Sequence, residues 1–394
     1  MPAPSSREIL TDLVAFDTTS RDSNLALIDY VRTYLSSYGV DSRLVMDATG
    51  QKANLWATIG PADQPGVILS GHTDTVPVDG EDWASDPFKL EDRNGRLYGR
   101  GSCDMKGFLA CALAAVPGLV TRNLAHPIHL AFSYDEEVGC VGVVGLLEIL
   151  KAENIRPAMC IVGEPTLMQV VIGHKAKRSM RVTVRGKGCH SSLAPQGVNA
   201  VDYAARMIVR IQDIAVRLAD KGGRDTDYDI THSTAHTGII SGGTALNIVP
   251  DICVFDCEFR VLPSENPDAL VDELRDYASS ELEPMMRRIA PDTGIEIDVY
   301  AQFPGLDTLP EADVVTFAKR LTGQNGHSKV AFGTEGGRFN EILGVPTVIC
   351  GPGSITQAHK PDEYIEQSQL DACNDFLEQL ACWAERAPST VRDI

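Results

Sequence analysis

The sequence predicts an α/β fold: a mostly parallel, twisted sheet covered by helices, with an inserted ferredoxin-like α+β domain. Two observations carry this. Up to residue 178, short strands that are apolar throughout alternate with helical segments, as strands buried on both faces must. From Ser179 to Tyr300 the pattern becomes alternating strands and amphipathic helices in β-α-β-β-α-β order, the split-βαβ arrangement. The chain thus reads as an α/β domain of residues 1–178 and 301–394, interrupted by residues 179–300.

The elements follow in order. SSREILTDLVAF and NLALIDYVRTYLSSYG have helical spacing, and Gly39 is placed to cap the second. NLWATI, GVILSG, IHLAFSYD and AMCIVGEP are buried strands, separated by the helices GFLACALAAVPGLV and GVVGLLEILKAEN. In the insertion, SMRVTVRG is a strand. A helix follows, with Val201, Ala204, Ile208, Ile211, Ala215 and Leu218 on one stripe. HTGIISGG and ICVFDCEFR are strands, ALVDELRDYASSELEPMMRR a helix and IEIDVYA the closing strand. Cys253 and Cys257 alternate with Phe255 and Phe259, which makes them one buried face rather than a metal knuckle. VVTFAKRLT and PTVICGPG return to the first style.

Composition bounds the partners. A length of 394 residues with 43% hydrophobic and 23% charged residues describes a globular chain with ample core. A formal charge of −19 argues against nucleic acid and against anionic membrane surfaces. The stretch Gly107–Val120 contains Pro117 and is short for a bilayer span, so no membrane partner is expected. MPAPSSREIL lacks the basic start and apolar core of a secretory signal, and ten scattered cysteines read as reduced thiols, so the expected compartment is the cytoplasm.

Five segments place His, Asp or Glu just after a buried strand or before a helix: His72 and Asp74, Asp104, Asp135-Glu136-Glu137, Glu164, and His359. In open α/β sheets the carboxyl ends of the strands border the ligand crevice. Imidazole with carboxylate suits zinc or cobalt better than magnesium or calcium. Two histidines and three carboxylates exceed one four-coordinate ion and suit two ions sharing a bridge. His72 and Asp74 point the same way from an extended chain, so Asp74 can orient the His72 ring. Glu136 and Glu137 cannot both point one way; one binds metal and the other stands as base.

Lone histidines after strands are more often structural, and His232 and His236 read as polar-loop histidines without carboxylate partners. A thiol nucleophile at Cys103 or Cys189 would leave all five acidic and imidazole signals unexplained. No G-x-S-x-G, H-E-x-x-H or Walker A pattern is present.

HTDTVPV, GRGSCDMKG, YDEEVGC, GEPT, RGKGCHSS and GPGSITQAHKPDEYIE together resemble the dinuclear-zinc aminoacylase/carboxypeptidase family, in that family's order. The resemblance implies a zinc-peptidase-like catalytic domain and an inserted lid and dimerisation domain. It implies two divalent metals, zinc or cobalt, with His72, Asp104 and Glu164 on one ion. Asp104, Glu137 and His359 would hold the other. Glu136 would be the general base, Asp74 the orienter of His72, and His190 the group that reaches the substrate carbonyl. Asn247 and Arg260 match substrate-binding positions. The implied partner is a small N-acyl amino acid, and the implied assembly a homodimer. A substrate with a cationic side chain would want an anionic partner, for which Glu335 in FGTEGGRF is the candidate.

Overall fold

The computed structural model of this chain describes residues 3–386. They form two compact units. One takes the residues up to Gly173, Leu306–Lys329 and those from Thr334 on; the other is His174–Gly305 with Val330–Gly333. These divisions fall a few residues outside the expected 179–300. The strand entering the insertion begins at Ala176, and the one leaving it runs to Phe303.

The first unit is built on a nine-stranded sheet. Its centre is four parallel strands in the order Ile128–Ser133, Val67–His72, Met159–Pro165, Thr347–Gly351. Ser42–Met46 and Ala53–Ile59 extend one edge antiparallel, and Val171–His174 with Leu306–Asp307 extend the other. The three central strands preceding the insertion are buried at every position, which is why they read as unbroken apolar runs.

The helices close both faces. Ser6–Val14 starts from a capping box, the Ser5 hydroxyl accepting from the Glu8 N–H while the Glu8 carboxylate accepts from the Ser5 N–H. Leu25–Ser37 ends at Gly39, whose φ of 75° takes the left-handed turn expected of it. Gly107–Leu119 packs deepest: a side chain on Gly163 would meet the Phe108 ring at 2.0 Å, so only glycine lets the helix lie on the Met159–Pro165 strand. The window Ser102–Leu119 is long and apolar enough to cross a membrane by length and composition, but 78% of it is buried inside the fold, as in a core helix.

The inserted unit is a four-stranded antiparallel sheet in the order Thr234–Gly242, Ile252–Val261, Ala176–Arg185, Gly294–Phe303. Ala200–Lys221 and Pro267–Tyr277, the latter continued as Ala278–Leu282 and Glu283–Ile289, cover one face. Cys253, Phe255, Cys257 and Phe259 all point into that core, as their alternation predicts. The opposite face carries ion pairs such as Arg181–Asp256 and Lys177–Glu258. The long helix is rotated slightly from expectation. Its buried stripe is Ala200, Ala204, Met207, Ile211, Ile214 and Leu218, with Val201, Ile208 and Ala215 on the flank. His236 lies in the edge strand rather than a loop.

Candidate metal centre

The parallel strands deliver the acidic and imidazole groups to one end of the sheet. Val67–His72 ends on His72, and Glu164 is the next-to-last residue of the Met159–Pro165 strand. Glu136 and Glu137 follow Ile128–Ser133, and His359 follows Thr347–Gly351. Asp104 enters from the short segment Ser102–Lys106, where its own φ and ψ of −121° and 93° break the helix. The Asp104–Met105 peptide is cis. His359 and Asp135 sit at φ 56° and 54°, a left-handed conformation that costs non-glycine residues about 1–3 kcal/mol and collects at functional sites.

The side chains converge. His72 Nε2 lies 3.1 Å from Asp104 Oδ1 and 3.6 Å from Glu164 Oε1. His359 Nε2 lies 3.2 Å from Asp104 Oδ2 and 3.0 Å from Glu137 Oε2. The two oxygens of Asp104 therefore face different histidines. An oxygen of Glu136 also lies within 4.8 Å of ligand atoms of His72 and Glu164. A tetrahedral zinc with bonds near 2.0–2.1 Å separates its ligand atoms by about 3.3 Å, and the observed gaps bracket that length.

Electrostatics demand a cation here. The His72 Nδ1–H donates to the Asp74 main-chain carbonyl at 2.9 Å, which leaves Nε2 as the lone-pair nitrogen facing carboxylate oxygens. Acceptors cannot crowd one another in a buried space unless a proton or metal ion sits among them. Among the described residues no lysine or arginine ion-pairs with Asp104, Glu136, Glu137 or Glu164. Without a metal, protons do the neutralising. Burial, and after it the neighbouring carboxylate charges, push Glu137 and Glu164 above the usual carboxylate range; burial does the same for Glu136, though the His72 charge opposes it. Hydrogen bonds to Asp104 and Glu137 raise His359 to about 10. Burial opposes the His72 cation, yet Asp104 and Asp74 outweigh it and its pKa also rises. Burial likewise works against the Asp104 anion, and the two histidines still hold its pKa down. The donor set fits a pair of divalent ions.

Asp74 does more than orient His72. Its carboxylate, 3.5 Å from His72 Nδ1, accepts from the Ser20 hydroxyl at 2.7 Å and from the main-chain N–H groups of Glu136 and Glu137 at 3.2 and 3.3 Å. It fixes the backbone from which both glutamates project. The Cys140 thiol donates to Glu136 Oε1 at 3.1 Å. Neither contact is visible in spacing; the only trace is Cys140 inside the motif YDEEVGC.

The expectation for Glu335 needs correction. It is 1% exposed, and its oxygens accept from the Ser70 and Ser133 hydroxyls at 2.5 and 2.7 Å. Both oxygens are engaged by serines inside the fold, which argues against a role in receiving a substrate ammonium. It instead ties the Val67–His72 strand to the Ile128–Ser133 strand beneath the site.

The remaining expected residues belong to the inserted unit. His190 is exposed, holds the Ser192 N–H and hydroxyl with Nδ1, and forms a bridge to Ile248 beside Asn247, whose carbonyl accepts from the Ser191 N–H. Arg260 lies on the charged face and donates to Glu258 at 3.1 Å. It stands near the opposite end of the Ile252–Val261 strand from the His190 loop: Ile248, which bridges His190, lies twelve residues back, and the strand from Ile252 to Arg260 alone spans roughly 25 Å.

The family model of peptidase family M20/M25/M40 matches residues 68–382, which span every metal-directed residue above. The chain belongs to this family. The M20 assignment agrees with a relative 36% identical, the acetylornithine deacetylase of Myxococcus xanthus, aligned over 95% of this chain and 96% of the relative. The fold matches the M20 metallo-carboxypeptidase of Sulfolobus solfataricus with a TM-score of 0.76 at 19% identity, covering 97% of this chain and 99% of that one. It also matches a dinuclear metal-binding M20 peptidase of Bacillus subtilis, with a TM-score of 0.65 at 16% identity over 97% and 98% of the two chains. As an M20 protein the chain is a metal-dependent hydrolase acting on amide bonds.

Proposed function

We propose that this hydrolase deacylates an N-acyl amino acid, N2-acetyl-L-ornithine first, to give L-ornithine and acetate, a step of arginine biosynthesis in the cytoplasm. The observation that carries the two-ion reading is the division of Asp104, with Oδ1 toward His72 and Oδ2 toward His359. His72, Asp104 and Glu164 hold one ion; Asp104, Glu137 and His359 hold the other, with zinc the expected metal and cobalt a competent substitute. When bound, such a pair polarises the acyl carbonyl and acidifies water.

The chain's own groups do the rest. Glu136, held at one oxygen by Cys140, accepts a proton from the attacking water with its other oxygen and passes it to the leaving amine. His190 donates to the oxyanion, Asn247 supports it, and Arg260 holds the α-carboxylate. One N-acyl amino acid is far shorter than the span between His190 and Arg260 of one chain. That supports a homodimer in which a second copy donates His190 and Asn247. The edge strand Thr234–Gly242, with Ile239 and Ile240 exposed, is a surface suited to pairing across a two-fold axis.

The substrate assignment rests on the name of the relative that aligns over nearly the whole chain. A panel of acetylornithine, acetylcitrulline, succinyl-diaminopimelate and dipeptides tests it, with acetylornithine expected to have the highest kcat/KM. Preference for succinyl-diaminopimelate or a dipeptide would reassign the substrate while keeping the chemistry. Activity indifferent to EDTA, with less than one metal per chain, would reject the chemistry.

A further inference from the structure

We infer that Glu363 is a positioning residue for the metal ligands: its carboxylate clamps the Asp104 loop to the segment that carries His359. This rests on the two-ion reading above. Glu363 is 1% exposed. Oε1 accepts from the main-chain N–H groups of Cys103 and Asp104 at 2.9 and 3.1 Å, and Oε2 accepts from the Gly101 N–H at 3.0 Å and Arg100 Nη1 at 2.9 Å. One side chain thus takes four donors, three of them from the backbone that presents Asp104.

The loop needs such an acceptor. With Gly101 at φ 76° and Asp104 and Met105 non-helical, the N–H groups of Gly101, Cys103 and Asp104 turn toward one point instead of into a helical ladder. Clustered main-chain donors of this kind form an anion-binding concavity. Here the anion is the protein's own, and it arrives four residues after His359. Arg100, itself fully buried, neutralises it, reaches on to Glu81 and lies under the Trp83 ring. The Gly99 N–H donates to the Glu363 carbonyl at 3.0 Å, a further tie between the same two segments. The consequence is geometric. Asp104 and His359 come from segments some 255 residues apart in sequence, yet Oδ2 and Nε2 must meet within ligand distance. Glu363 sets that distance by bonding the backbone of one partner from the chain of the other. His72 and Glu164, on adjacent strands of the sheet, have no such need.

Glu363→Gln keeps the shape but sets an amide NH2 against N–H donors; Glu363→Asp keeps the charge but shortens the reach. Metal-free wild type is titrated with cobalt(II) by visible absorption, then each variant. Wild type should bind two equivalents. Glu363→Gln should bind the first within about threefold of wild type and the second about 10–100-fold more weakly, with an altered second spectrum. Glu363→Asp should lie between, and decides the matter if the Gln variant does not fold. Val116→Ala, a cavity in the helix core away from the loop, serves as the control for general loosening. Two wild-type-like equivalents in both Glu363 variants would overturn the inference, as would equal weakening in Val116→Ala. Fewer than two equivalents in wild type would instead overturn the two-ion reading.

Discussion

Glu136 and Glu137 are sequence neighbours whose tasks are separated by what touches them. Glu137 faces His359 at 3.0 Å, while Glu136 is engaged by the Cys140 thiol. Glu136→Gln should therefore lower kcat about 10²–10⁴-fold, the usual worth of a positioned base, while metal analysis still finds both ions. A variant that lost metal in proportion to activity would make Glu136 a ligand. Glu335 is the contrasting case. Its removal as Glu335→Ala leaves the Ser133 hydroxyl unpaired, at about 1–3 kcal/mol, and Ser70 with only its long 3.4 Å bond to the Ala131 carbonyl, so thermal melting should drop clearly. Because its oxygens are taken up by the two buried serines, turnover of acetylornithine and of acetylmethionine should change by the same factor. A selective loss for acetylornithine would restore the cation-binding role.

At the scale of elements, the strands and helices were legible because burial on both faces leaves an unmistakable apolar run, as in Val67–His72. The ends of those strands were legible too, since His72 and Glu164 lie in the last residues of one, Glu136 and Glu137 follow one by three and four residues, and His359 follows one across a short loop. The stripe of Ala200–Lys221 was misplaced by about one position because Val201, Ile208 and Ala215 are also apolar, and periodicity alone cannot choose between overlapping stripes. Glu335 and Glu363 were opaque for a different reason. A buried carboxylate paired with serines or main-chain N–H groups has the same letter as a solvated one. Asp362, next to Glu363, is only half-buried, and nothing in the sequence tells them apart. The edge strand Thr234–Gly242 gives this scale its prediction. Ile239→Lys places a charge on the proposed pairing edge. Sedimentation should show monomer, with kcat/KM lower by about 10²–10³, the cost of losing one oxyanion donor, and metal content intact. A monomer of full activity would mean that His190 acts within its own chain or not at all.

The whole molecule's response to pH follows from the same cluster. Glu136, Glu137 and Glu164 have folded-state pKa values above their unfolded value of 4.5, and His359 has one of about 10 against 6.5. Between the unfolded and folded values the native state binds more protons than the unfolded chain, so stability is present at lower pH and falls as pH rises. Metal-stripped protein should therefore melt at progressively lower temperature between about pH 5 and about pH 9. Metal offsets that trend, because its ligands must be deprotonated and it binds more tightly as pH rises, and saturating zinc should add about 4 kcal/mol per ion at a thousandfold excess over Kd. The melting temperature of the metal-loaded form should hardly move over that range. A stripped protein whose melting point rose with pH would contradict the neutralisation argument.

The two histidines differ sharply in how far they reach toward solvent: the His72 side chain is 1% exposed and that of His359 50%. Exchange at the two positions should then run on separate clocks, with a chelator stripping the outer occupant in the time that leaves the inner one in place. Refilling the vacated position with a different element would yield a mixed-metal enzyme in which each ion carries its own spectroscopic label.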